Sequence, residues 1–176
     1  MERKNWLEET AKQVLTAQVL ETNHFTQKYG LVLGKEDAAL LARERADVLR
    51  AQRRVEFGPG ILPKIIYAFC DSPYIYQDNY CESLARLQEI FFQYKNEMMD
   101  ELSDDELLAF MREQFDQVCC GDFGYLEGTC LEIFAQAVRA GYSGYEETEG
   151  KGEFGKMDIV KGWDRELYLE ALFDLF

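Results

Sequence analysis

Residues 79–101 read Asn79-Tyr80-Cys81-Glu82-Ser83-Leu84-Ala85-Arg86-Leu87-Gln88-Glu89-Ile90-Phe91-Phe92-Gln93-Tyr94-Lys95-Asn96-Glu97-Met98-Met99-Asp100-Glu101, and this stretch decides the fold. Tyr80, Leu84, Leu87, Phe91, Tyr94 and Met98 follow one another at spacings of four, three, four, three and four. That period lays one apolar stripe down a helix, whereas a half-buried strand would alternate every second residue. At 1.5 Å per residue the helix runs roughly 35 Å, long enough to be the spine of a helical domain.

On its C-terminal side, Ser103-Asp104-Asp105-Glu106 is a capping box that opens a helix over 104–119, closed by Gly121. A further helix over 123–140 sets Leu126, Cys130, Ile133, Phe134 and Ala137 on one face. On the N-terminal side, all three prolines fall at 59, 63 and 73. Pro59 and Pro73 bracket a helix over 60–71 that stops before Pro73, because the residue before proline avoids the helical region. Helices are expected over 5–22, where Asn5 and Glu8 stand in capping-box relation, and over 35–53. Two short stretches, 31–33 and 55–57, are bounded by glycine and proline and suit one brief two-stranded pairing.

After Gly141 the composition changes. Six of the thirteen glycines lie in 141–162 among Glu146, Glu147, Glu149 and Glu153, the pattern of a flexible acidic linker. Trp163 then opens a last amphipathic segment, 163–176, in which Tyr168, Leu169, Leu172, Leu175 and Phe176 form a broad apolar stripe. Such a stripe needs a surface to cover it. The expected architecture is therefore an all-α, single-domain bundle of about six helices over 1–140, a linker over 141–162 and a tethered C-terminal helix. That helix docks in cis, or in trans as the basis of a homodimer.

Charge is unevenly placed. Residues 1–70 carry eleven Lys and Arg against nine Asp and Glu, and residues 71–176 carry eight against twenty-four, which together give the net −14. A surplus of that size repels nucleic acid and anionic membrane. No apolar run approaches the ~20 residues of a membrane span, and the first residues lack a signal-peptide pattern. The five cysteines form no C-x-x-C pair and suit reduced core thiols. A cytoplasmic location follows from these features.

Few motifs carry chemistry. The lone histidine, His24, has no nucleophile elbow near it in sequence, and phosphate loops, H-E-x-x-H and EF-hand loops are absent. A zinc set of Cys119, Cys120, Cys130 and His24 suffers from vicinal cysteines, which chelate tetrahedrally with difficulty. Asp104, Asp105 and Glu106 belong to a helix N-terminus, where carboxylates are favoured without a metal. No catalytic residue, metal or cofactor is expected.

Arg45 is the sharper signal, because it falls on the apolar stripe Ala38, Leu41, Val48, Leu49 of its helix. A buried guanidinium needs a carboxylate, with Glu97 the first choice and Glu56 the second. Arg45, Arg54, Glu56, Tyr94, Lys95 and Glu97 are thus the candidates for an ion-pair network or a polar pocket. The candidates for docking a partner are Trp163, Tyr168, Leu169, Leu172, Leu175 and Phe176.

One pattern spans most of the chain: Tyr29-Gly30-Leu31, Asp37-Ala38, Leu41, Arg45, Leu49, Arg54-Val55-Glu56-Phe57-Gly58, Phe69 and Ser72-Pro73-Tyr74-Ile75. It continues through Ile90-Phe91-Phe92, Tyr94-Lys95-Asn96-Glu97 and Ser103-Asp104-Asp105-Glu106-Leu107. Over roughly residues 25–140 it resembles a bacterial domain family of unknown function from clostridia-like anaerobes. The resemblance implies no activity and no site residue. The function expected from the residues is a non-enzymatic protein-interaction module with an acidic surface, its partner a second copy or another protein. The alternatives are an acidic mimic that blocks a nucleic-acid-binding protein, and an enzyme or small-ligand binder with an Arg-carboxylate pocket.

Overall fold

The computed structural model describes residues 2–58 and 60–140. Along the chain the helices are α1 (Glu2–Glu21), α2 (Asn23–Thr26), α3 (Lys35–Ala51), α4 (Ile61–Phe69), α5 (Tyr80–Glu97), α6 (Asp104–Gln117), α7 (Phe123–Tyr125) and α8 (Glu132–Arg139). Turns of π-helix over Leu126–Leu131 join α7 to α8, so 123–139 is one helical run. Among the described residues there is no strand, and the fold is all-α. The expected linker and C-terminal helix lie outside the described residues. Two compact units divide the chain, Met1–Phe92 and Gln93–Phe176, and the division falls inside α5. All six stripe residues, Met98 just past the end of α5 included, are buried.

In the first unit, α1 packs along α3. Leu15 and Val19 of α1, Ala38 and Leu41 of α3, Ile65, Ile66 and Phe69 of α4 and Tyr80, Leu84 and Leu87 of α5 are all buried. Each large aliphatic or aromatic side chain contributes about 1.5–3 kcal/mol by leaving water. Helix α1 starts at Glu2, three residues before the expected start, so the Asn5–Glu8 box does not cap it. Arg3 and Lys4 are strong helix formers and carry the helix past that point.

The expected pairing of 31–33 with 55–57 does not form. Leu33 instead exchanges two 2.8 Å hydrogen bonds with the side-chain amide of Asn23, which accepts from its N–H and donates to its carbonyl. Gln77 does the same for Val32, again with two bonds of 2.8 Å. Two side-chain amides stand where a neighbouring strand would, and the backbone groups they satisfy are no longer available to one.

In the second unit, the capping box forms as the sequence implies. Ser103 Oγ accepts from the Glu106 N–H at 3.2 Å, and the Glu106 carboxylate accepts from the Ser103 N–H at 2.8 Å. Phe110 of α6 stacks on Phe134 of α8 with ring centroids 3.9 Å apart, and Phe115 stacks on Phe123 at 5.0 Å. The Tyr94 hydroxyl donates to the carbonyl of Glu127 in the π-helical turns. Burial, then the carboxylates of Glu132 and Glu127, push the Tyr94 phenol well above its ordinary pKa, so it stays a donor at neutral pH.

Candidate functional site

Arg45 is largely buried on α3, and its carboxylate is Glu56, with Nε donating to Oε1 at 2.7 Å. The two side chains are only 12% and 13% exposed. Glu97, the first choice from the sequence, lies in the second unit and accepts from Arg139 Nη1 at 2.5 Å. Glu56 prevails because the chain turns back on α3 soon after it ends. Arg53 adopts a left-handed conformation (φ 56°), its N–H donating to the Arg50 carbonyl at 3.2 Å while Arg54 N–H donates to Leu49 at 2.9 Å. This is a Schellman ending with arginine in the usual glycine place.

Glu56 has a second task. Its Oε2 accepts from the N–H of Ile61 at 2.8 Å, which places a carboxylate on the N-terminus of α4, where the helix dipole favours it. Arg45 Nη2 also reaches the carbonyls of Glu56 (3.5 Å) and Gly58 (3.3 Å). One arginine thus holds both the carboxylate and the backbone of the loop. The close approach demands Gly60, whose φ is 69° and where an added Cβ would sit 1.9 Å from Glu56 Oε1.

With Glu56 drawn inward, its extended neighbours point the other way. Val55 is 79% exposed and Phe57 88%. Between this loop, α1 and α3 lies a hollow of about 350 Å³. Leu15, Ala42, Ala46 and Leu49 supply apolar wall, and Lys12, Arg45, Arg50 and Arg54 supply cations, with Glu8 and Glu56 as the carboxylates. The fold therefore brings Arg45, Arg54 and Glu56 of the predicted set to one hollow.

The other three members lie in the second unit and serve it. Tyr94 meets Glu127 and stands 3.4 Å from a carboxylate oxygen of Glu132. Lys95 is buried, donates to the Leu102 carbonyl and pairs with Asp104 at 3.0 Å. Trp163, Tyr168, Leu169, Leu172, Leu175 and Phe176 lie outside the described residues. Cys119 and Cys130 are both buried with their Sγ atoms 3.6 Å apart, while Cys120 is exposed and His24 belongs to the first unit. Burial first, then the facing thiol, raises the pKa of Cys119. Among the described residues no group of three His, Cys, Asp or Glu is placed to hold a metal ion, and no helix is long and apolar enough to cross a membrane.

Sequence reasoning passed over Val55 and Phe57 as a strand, and over Lys12 and Leu15 as ordinary residues of a helix. The available signal was an apolar residue on each side of a glutamate, in a loop closed by Gly58-Pro59-Gly60. No curated protein and no solved structure matches the chain. The model of a family of unknown function, DUF6323, matches residues 18–144. That span takes in α3, the loop and α4, and the chain belongs to this family.

Proposed function

We propose that the chain is a non-enzymatic, cytoplasmic protein-interaction module that docks a partner through the Val55-Glu56-Phe57 loop. The observation that carries this reading is Phe57, 88% exposed on a loop that Arg45 and Glu56 hold fast. A large apolar side chain in water gains nothing for the isolated fold, and a rigid aromatic loses little entropy when it docks. Burying Phe57 in a partner would contribute about 1.5–3 kcal/mol, on the order of tenfold to a hundredfold in affinity. The chain immobilised at full length should retain a protein from extracts of its source cells, and Phe57→Ser should release it while leaving the melting temperature unchanged. Retention of the same proteins by the variant would sink the reading.

The hollow supports a second reading, a site for a small anionic ligand, because Arg45, Arg50, Arg54 and Lys12 converge there. A ligand confined to the hollow leaves Phe57 in water. The two readings therefore part on the same variant.

A further inference from the structure

The face of α1 and α3 carries cations in a chain of net charge −14: in the hollow beside the loop Lys12 and Arg54 stand with Arg45, paired to Glu56, and Arg50, paired to Asp47 at 3.2 Å. A second hollow along α1 and α3, of about 450 Å³, shares Lys12 and adds Lys35 and Arg43 against Glu9 alone. Both have apolar walls, from Leu15 and Leu49 in the first and from Leu20 in the second. On α1, Leu7 and Val14 are exposed and stand four and three residues either side of Ala11, which lines the first hollow. That spacing continues the apolar wall out along the helix surface.

Resting on the docking reading above, we infer that the face formed by α1, α3 and the loop receives an acidic amphipathic helix of the partner protein. Its apolar residues, at i, i+3, i+4 and i+7, would enter the hollows, and its carboxylates would meet Lys12, Lys35 and Arg43. Charge complementarity selects this occupant. A basic segment would meet the cations of both hollows, and a nucleic acid lacks the aliphatic side chains that would fill their apolar walls.

The whole-molecule charge makes the test sharp, since a protein of net −14 should attract a basic peptide and repel an acidic one. Two fluorescein-labelled peptides of 18 residues serve as probes, with leucine at the four spacings above and either glutamate or lysine, mixed with alanine, elsewhere. Anisotropy titration of the full chain should show the glutamate peptide binding more tightly than the lysine peptide. The double substitution Lys12→Glu with Arg43→Glu should weaken it by roughly tenfold or more. A lysine peptide that binds as tightly, or a glutamate peptide indifferent to the double variant in a protein shown to be folded by its melting curve, overturns the inference. A cellular protein released by Phe57→Ser yet retained by the double variant leaves the loop reading standing and removes the acidic helix. Release by the double variant alone leaves the acidic site and removes the loop.

Discussion

Arg45 and Glu56 show how one pair of charges shapes a loop. Both are mostly removed from water, so each needs the other. Arg45→Ala should cost about 3 kcal/mol, because it strands the Glu56 carboxylate and releases the Gly58 carbonyl. Urea titration measures the loss, and a change under ~1 kcal/mol would mean that the loop does not depend on the clamp. Glu113 of α6 is the opposite case. Burial raises its pKa, so its charged form is disfavoured in the folded chain. A carboxyl whose folded pKa is raised contributes stability below its unfolded pKa and loses it as pH rises through the folded value. Glu113→Gln should therefore be more stable than the natural chain at pH 7, with the advantage vanishing towards pH 4. Equal stability at both pH values would show that the carboxylate is fully solvated.

At the scale of elements, apolar stripes and cap signals located most of the long helices, whereas α1 starts three residues ahead of its expected cap. The stripe of α5 and the capping box of α6 are the clearest instances. Side chains that replace backbone partners escaped that reasoning. Asn23 and Gln77 satisfy 31–33, and Glu56 satisfies the start of α4, yet no pattern of polarity along the chain distinguishes these residues from solvent-facing ones. The candidate site was half visible for the same reason. A guanidinium on an apolar stripe announces a buried pair, but the choice between Glu56 and Glu97 turned on the left-handed Arg53, which redirects the chain after α3. Gly60 tests how tightly α4 is joined to that loop. A methyl group there would overlap the Glu56 carboxylate in a backbone conformation that glycine alone adopts readily. Gly60→Ala should cost about 2–4 kcal/mol and raise proteolytic cleavage within 53–60 first. A substitution cost below ~1 kcal/mol would mean the loop has an alternative path to α4.

Over the whole molecule, charge is the dominant long-range term. The local pairs, Arg45–Glu56, Lys95–Asp104 and Arg139–Glu97, consume some of the basic residues and leave the acidic surplus in place. A net −14 opposes compaction, since like charges lie closer together in the folded chain than in the unfolded one. Salt screens this repulsion over about 10 Å at 0.1 M, while the short contact between Arg45 and Glu56 is screened far less. Raising sodium chloride from about 0.02 M to 0.5 M should thus raise the melting temperature by about 3 °C, equivalent to roughly 1 kcal/mol. The same surplus should keep the chain off nucleic acid, with no gel shift of a 20-base-pair duplex at micromolar protein in ~0.15 M salt. The two measurements constrain each other. A melting temperature that falls with salt would mean that attractive pairs outweigh the surplus. A duplex bound in ~0.15 M salt would mean that the cationic face of α1 and α3 acts on phosphates despite Glu8, Glu9 and Glu56. If stability rises with salt and the duplex stays unbound, the basic residues on that face act locally, which is the condition under which they discriminate an acidic helix from a basic one.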